Sequence, residues 1–265
     1  LNPNNIPSEG LPESDHLINS AKGLATGYGQ TKWVSEALMR DAGERGLRGV
    51  ILRPGYVTGH SGKGTTITDD FLVRILKGCI QLGSFPELGD DNFINMMPVD
   101  GVAAICAAAA LATNSGMKVL NAVSRTMTFN TYLFSLQRLG YDVRYKKYDT
   151  WRKQLQQYVA ASATGNGEEH ALLPLYHLAV SDLPADSRSP LLRTANAKEV
   201  VADSHKQKVK ARFEVTDEIL KRYFAYLVEL GFLPKPQDTE MELPPVELSE
   251  QRRSALSKIE GRGKI

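Results

Sequence analysis

Cysteine is scarce in this sequence: Cys79 and Cys106 are the only two among 265 residues. Two thiols cannot staple a chain of this length, so the fold must rest on a hydrophobic core. Both sit among apolar neighbours and read as buried free thiols, in a reducing, cytoplasmic setting. Long apolar runs are also missing. The longest, from Val102 to Ala112, falls well short of the ~20 residues that a membrane helix needs. No sign of charge dominates: 32 Lys and Arg face 30 Asp and Glu, a net +2. That balance gives no electrostatic case for nucleic acid or for an anionic membrane. What remains, 42% hydrophobic and 23% charged, is the make-up of a globular chain long enough to bury a core unaided.

The opening residues Leu1 to Gly10 are loop chemistry without an initiator methionine, and they read as a cut through a longer protein. Residues 1–26 are expected to be loop, with a short helical piece near Ser14 to Ala21. A helix is expected from Tyr28 to Ala42, with Val34, Ala37 and Leu38 as its apolar positions and Gly43 and Gly46 ending it. Gly49 to Arg53 is a short apolar run of the kind found in buried parallel strands, broken at once by Pro54 and Gly55. The pattern then predicts a helix over Asp69 to Leu82, an extended stretch from Asn92 to Val99, and an apolar helix over 101–112 capped by Asp100. Lys118 to Val123 reads as strand, Phe129 to Leu139 as helix, and Val143 to Tyr148 as extended. A helix over Thr150 to Ala161 would be capped by Asp149. Helices are also expected over 168–180, 191–203 and 217–230, the last capped by Thr216 with Asp217 and Glu218 in its first turn. Strands alternating with helices predict an α/β chain with a parallel sheet.

One motif carries chemistry. Tyr28-Gly29-Gln30-Thr31-Lys32 places a phenol and an ammonium four residues apart, hence on one face of a helix. A phenol is a poor acid near neutral pH, and an adjacent cation favours its phenolate. Such a pair suits proton donation to a developing alkoxide, and the lysine also suits a ribose hydroxyl. Taken alone the spacing is common and equally describes a surface lysine lying over a half-buried tyrosine.

The context narrows the choice. The helix leads into a strand that ends in Arg53-Pro54-Gly55-Tyr56-Val57-Thr58-Gly59. In this pairing the chain resembles the extended short-chain dehydrogenase/reductase family. The run Gly23 to Val34, then Asn95 to Ala103, Tyr148-Asp149-Thr150-Trp151, His170 to His177 and Gly231-Phe232-Leu233-Pro234 are similar to the thioester reductase domains of carrier-protein enzymes, and in particular to the fungal L-2-aminoadipate reductases. The likeness runs from about Pro12 to Pro236 and implies the C-terminal half of a Rossmann-type doubly wound parallel sheet with a mostly helical C-terminal subdomain. It implies NADPH-dependent reduction of a phosphopantetheine-bound L-2-aminoadipoyl thioester to the semialdehyde, in lysine biosynthesis. It implies Tyr28 and Lys32 as catalytic and cofactor-binding residues, with Pro54, Gly55, Tyr56 and Val57 along the nicotinamide. It also implies upstream adenylation and carrier domains as partners.

Such a reductase needs a glycine-rich turn after its first strand and a Ser or Thr that bonds the substrate carbonyl. Residues 1–27 contain no such turn, and Ser8, Ser14, Ser20 and Thr26 follow no apolar strand. The expected organisation is therefore a partial NADP-binding domain over 1–123, a mostly helical substrate-side subdomain over 124–235, and a solvated tail over 236–265. The fragment alone is expected to be inactive. A reductase for another acyl or peptidyl thioester, or a binding module that has lost turnover, are the competing readings.

Other residues read as structural. Glu168, Glu169, His170 and His177 make a poor metal set, with Pro174 between the histidines, and no metal site is assigned. His60 lies in the loop after the Pro-Gly turn, where it could face a substrate. Trp33 and Trp151 read as packing residues. Lys206, Lys208, Lys210 and Arg212 read as a solvated face, with docking of an acidic carrier domain as the alternative.

Overall fold

The computed structural model describes residues 8–18, 21–24, 27–112, 116–163, 169–183, 189–204, 212–238, 242–246 and 248. Lys206, Lys208, Lys210, Glu168 and most of the expected tail lie outside these residues. The chain forms two compact units that interleave along the sequence: Leu1–Thr58, Asp90–Phe129 and Asp186–Val215 make the first, and Gly59–Gly89, Asn130–Ala185 and Thr216–Ile265 the second.

In the first unit, helix α1 (Gly27–Glu44) leads into strand β1 (Gly49–Pro54). The helix is closed by the Leu47 N–H donating to the Ala42 carbonyl at 2.9 Å, with Gly46 at φ 98°. This is the left-handed stop that glycine makes cheaply. β1 pairs in parallel with β5 (Met117–Ala122), from Gly49↔Met117 to Pro54↔Ala122. At Gly55 the chain leaves that pair. β2 (Tyr56–Thr58) pairs in parallel with β4 (Phe93–Pro98), and β4 pairs antiparallel with β6 (Ser124–Thr128). β6 is not foreseen in the sequence, where Ser124, Arg125 and Thr126 show no apolar alternation.

Helices α3 (Val99–Leu111) and α6 (Ala195–Ser204) cover the β1–β5 pair. Met97, Ile105, Ala108, Leu120, Ala122, Ala197 and Val200 form the core there, with Val50 and Leu52 of β1 against it. α3 begins one residue after Pro98 and lacks a side-chain cap, so Asp100 lies inside the first turn instead of capping it. There it still favours the positive end of the helix dipole. Cys106 faces solvent on α3, against the expectation of a buried thiol, while Cys79 is buried.

The second unit contains α2 (Phe71–Leu82), the parallel pair β3 (Ser84–Pro86) and β7 (Arg144–Lys146), α4 (Phe129–Arg138), α5 (Tyr148–Ala163) and α7 (Asp217–Glu229). α2 is written plainly in the sequence. The Asp70 carboxylate accepts the Leu72 N–H at 2.8 Å, Gly83 closes the helix at φ 61°, and Phe71, Leu72, Ile75, Leu76 and Cys79 form its buried face. Burial raises the Cys79 thiol well above its ordinary pKa. Thr216 caps α7 through the Ile219 N–H, as expected. α5 starts at Tyr148, so Asp149 sits in its first turn and is not its cap. The expected helix over 168–180 is broken: a 3-10 turn spans Leu173–Leu175 around Pro174, and a π-turn spans Leu178–Asp182. The chain stays tied to this unit as far as Asp238, because the N–H groups of Gln237 and Asp238 both donate to the Gly140 carbonyl.

Candidate active site

Helix α1 is fixed by charge more than by apolar contact. The expected apolar positions Val34 and Leu38 are exposed. The face turned toward β1 carries Glu36 and Arg40. Both guanidinium groups that meet Glu36 are nearly enclosed. Arg53, at the end of β1, donates to both Glu36 carboxylate oxygens, and Arg40 donates to Oε1 at 2.9 Å. Arg53 and Arg40 also share the Asp15 carbonyl, at 2.8 and 2.9 Å. Burial by itself would raise the Glu36 pKa, but the hydrogen bonds and charges of Arg53 and Arg40 outweigh it and hold the carboxyl below its ordinary value. Trp33 is a packing residue as expected, its indole N–H donating to the Leu17 carbonyl at 2.8 Å.

Two anchor points set the direction of α1. Gly43, in its last turn, lies against Met117, the first residue of β5: a Cβ at Gly43 would come within 2.6 Å of the Met117 Cβ. Glu36 meets Arg53 near the other end of β1. The helix therefore runs antiparallel to the strands. Tyr28 precedes Glu36 by eight residues, which carries it roughly 12 Å further along the axis, past the carboxyl end of β1. This is the edge at which open α/β sheets bind their ligands.

Tyr28 is 74% exposed there. Lys32 places its ammonium 5.5 Å from the centre of the Tyr28 ring, over the ring face. The i, i+4 spacing thus brings the pair together, but as a cation lying on the ring instead of one bonded to the phenol oxygen. Pro54 is exposed, Gly55 and Tyr56 are half-buried, and Val57 is exposed. Gly55 is needed for close approach: a Cβ would fall 2.1 Å from the Asn95 carbonyl oxygen. Pro54–Val57 thus lie at the carboxyl end of the strand beside α1.

The expected donors suit the nicotinamide-ribose half of a dinucleotide. Tyr28 offers a phenol and Lys32 an ammonium, and among the described residues neither side chain is engaged in a hydrogen bond or ion pair. The pyrophosphate half has no counterpart among the described residues before α1, where no glycine-rich turn follows a strand. The later glycine-rich loop does not serve in its place. There the His60 Nδ1 accepts the N–H groups of Gly62 and Lys63, at 3.1 and 3.3 Å, and the Asp70 carboxylate caps the N-terminus of α2. His60 thus staples its own loop.

His170, in the second unit, is structural too. His170 is buried, its Nδ1 accepting the Leu172 N–H and its Nε2 meeting the Gly78 carbonyl at 3.2 Å. Among the described residues no group of three or more His, Cys, Asp or Glu side chains could hold a metal ion. No described helix is long and apolar enough to cross a membrane.

One buried carboxylate escaped the sequence reading. Glu13 accepts the N–H groups of Asn121 at 2.8 Å, Asn196 at 2.6 Å and Ala197 at 3.2 Å. It caps α6 and ties residues 11–13 to the end of β5. Its partners lie more than a hundred residues away, so no local pattern announces it.

Comparison with known proteins shows what the chain is similar to. An NAD-binding family model described as male sterility protein matches residues 3–106, a span that contains Tyr28, Lys32 and Pro54–Val57. The L-2-aminoadipate reductase of Schizosaccharomyces pombe is 40% identical over 258 residues, covering 96% of this chain and 18% of the relative. The L-2-aminoadipate reductase large subunit of Penicillium chrysogenum is 43% identical over 261 residues, with 96% and 18% covered. The L-2-aminoadipate reductase of Saccharomyces cerevisiae is 42% identical over 267 residues, with 95% and 18% covered. The chain thus spans about a fifth of the length of these relatives. Among solved structures, the terminal R domain of the myxalamid PKS-NRPS pathway superposes with a TM-score of 0.74 at 26% identity, over 87% of this chain and 56% of that one. The reductase (R) domain of a nonribosomal peptide synthetase from Mycobacterium tuberculosis shares the fold, with a TM-score of 0.60 at 20% identity over 79% of this chain and 53% of that one. Along nearly its whole length the chain is thus similar to one region of the fungal L-2-aminoadipate reductases, and it shares its fold with the terminal R domain of the myxalamid pathway.

Proposed function

We propose that the polypeptide containing this chain reduces a phosphopantetheine-bound L-2-aminoadipoyl thioester to the semialdehyde, with NADPH as reductant. The observation that carries this reading is the 40–43% identity to three fungal L-2-aminoadipate reductases along 95–96% of the chain. The exposed Tyr28–Lys32 pair at the carboxyl edge of β1 supports it independently. Adenylation and carrier domains on the same polypeptide would supply the thioester, and the pyrophosphate turn would lie outside residues 8–24. Two unpaired cysteines suit a reducing, cytoplasmic setting.

When bound, the nicotinamide supplies a hydride to the thioester carbonyl carbon. The chain's own residues manage the charge and proton that follow. The Tyr28 hydroxyl donates its proton to the carbonyl oxygen as negative charge develops there. The Lys32 ammonium, over the Tyr28 ring, stabilises the phenolate left behind and reaches the ribose. Pro54–Val57 give the nicotinamide a wall at the end of β1. Collapse of the hemithioacetal breaks the carbon–sulfur bond, freeing the aldehyde and returning the thiol to the carrier.

The test uses the intact polypeptide loaded with L-2-aminoadipate on its carrier. Absorbance at 340 nm follows NADPH consumption, and the semialdehyde is trapped and identified. One aldehyde formed per NADPH consumed is expected, with NADH much poorer. Thioester consumed without aldehyde, or NADPH left untouched, would reject the reading.

A further inference from the structure

The two edges of the β1–β5 pair are built differently. Alternate residues of a parallel strand turn their N–H and C=O groups to opposite sides. The Gly49 N–H donates to the Gly116 carbonyl and the Gly55 N–H to the Ala122 carbonyl. The odd-numbered residues of β1 therefore face β5, and Val50, Leu52 and Pro54 face away. The outer edge of β5 is covered. Its Val119 carbonyl accepts from the Asn196 Nδ2 at 2.9 Å, and its Asn121 N–H donates to Glu13 at 2.8 Å. Among the described residues β1 pairs with β5 alone, and nothing bonds to the outward N–H and C=O groups of Val50 and Leu52. Burial follows the same division: β1 is half-buried as far as Arg53, whereas β5 is buried from Val119 onward.

The helix over this edge shows the same asymmetry. α3 packs on the face of β1 that carries Val50 and Leu52. It buries Ala104, Ile105, Ala108 and Ala109. Its other side carries Val99, Ala103, Cys106, Ala107, Ala110 and Leu111, all exposed and none charged. A surface helix keeps its outer side polar, and a helix that is apolar all round is a buried one. Between that side and β1 runs a groove of about 410 Å3, with Val50 and Leu52 on one wall and Cys106, Ala109 and Ala110 on the other. Parallel sheets are covered on both faces, and an edge left open is normally guarded by charge, proline or a bulge. On β1 only Pro54, at its last position, is such a guard.

We propose that the free edge of β1 and the outer side of α3 form one docking surface, and that its occupant is a further parallel strand from the same polypeptide, outside these 265 residues. The strand would bond to the Val50 and Leu52 backbone and lay alternate apolar side chains into the groove beside α3. The pairing would stop at Pro54, which has no N–H to donate. The length of chain outside these residues supports this occupant. The chain matches 18% of the Schizosaccharomyces pombe relative and 56% of the myxalamid R domain, so nearly half of that domain has no counterpart in the match. A strand tethered in the same polypeptide also meets the edge at a far higher effective concentration than a second copy does. The surface serves assembly, whichever thioester is reduced.

Hydrogen exchange of the intact polypeptide, read at single residues, tests the pairing. The Ile51 and Arg53 amides point to β5 and serve as the internal reference. The Val50 and Leu52 amides should exchange at rates within about tenfold of theirs; faster exchange overturns the proposal. Protection that disappears on dilution makes the occupant a second copy and overturns it as well. Cys106 reports on the groove. It is exposed in these 265 residues by themselves. In the intact polypeptide it should react with iodoacetamide at least about tenfold more slowly than in urea, and a smaller difference overturns the proposal. Neither readout needs turnover, so the docking surface and the aminoadipoyl reading fail separately.

Discussion

Replacing Glu36 tests how α1 is held in place. The carboxylate accepts three charged hydrogen bonds, two from Arg53 and one from Arg40. Its side chain is 15% exposed and each arginine 13%. Glu36→Ala would leave two guanidinium groups whose other bonds reach only backbone carbonyls in residues 13–15. Removing one partner of a fully buried ion pair costs roughly 3–5 kcal/mol. Partial exposure lets water recover some of this, so about 2–4 kcal/mol is expected for Glu36→Ala. At roughly 2–4 °C per kcal/mol for a chain of this size, the melting temperature should fall by about 5–15 °C. Thermal unfolding of the full chain, followed by far-UV circular dichroism at pH 7, measures it. A fall of less than about 2 °C would refute the reasoning. The pH dependence gives an internal check. The Glu36 pKa is lowered in the fold, so its stabilisation is complete above the unfolded carboxyl range and fades as pH drops through the folded value. Glu36→Gln resembles the protonated residue. The wild type should exceed it at neutral pH and converge with it as pH falls through the lowered pKa of the folded state. A gap that persists unchanged into acid would mean that charge is not what holds the helix.

Two further outcomes follow from the fold. Gly55→Ala should destabilise the first unit by about 3 kcal/mol, at the upper end of overpacking costs, because the added methyl meets the Asn95 backbone and not a movable side chain; a melting temperature within 1–2 °C of wild type would contradict that close approach. Iodoacetamide at pH 8 should label Cys106 readily and spare Cys79 until denaturant is added, since one thiol is exposed and the other is buried with its pKa raised; labelling of Cys79 at a native-state rate comparable to Cys106 would displace α2 from the core.

The elements with local signals were legible in the sequence. α2 announces itself through Asp70, its apolar spacing and the turn at Gly83, and α7 through Thr216 and its acidic first turn. β1 is readable as a short apolar run that Pro54 ends. What escaped was set by distant partners. β6 is polar in composition and becomes a strand because β4 offers it an edge. The apolar residues of α1 suggested a hydrophobic seam, yet the helix docks through Glu36 and Arg40 while Val34 and Leu38 face outward. An alanine-rich stretch hides which of its faces is covered, and Cys106 proved to be on the open one. The same division holds for the site. The i, i+4 spacing sufficed to bring Tyr28 and Lys32 together, because such a pair is local, while their expected roles came from the family resemblance. The spacing could not choose between a lysine beside the phenol oxygen and one over the Tyr28 ring, and the structure shows the second.

The account stands or falls on Tyr28 as the proton donor. The direct measurement is single-turnover reduction of the carrier-bound aminoadipoyl thioester by the intact polypeptide, wild type against Tyr28→Phe, with NADPH saturating. The phenyl ring keeps its contact with Lys32 and loses only the hydroxyl. The rate should fall by roughly 10²–10⁴, the usual contribution of general acid catalysis, with NADPH binding little changed. A loss below tenfold would take Tyr28 out of the chemistry.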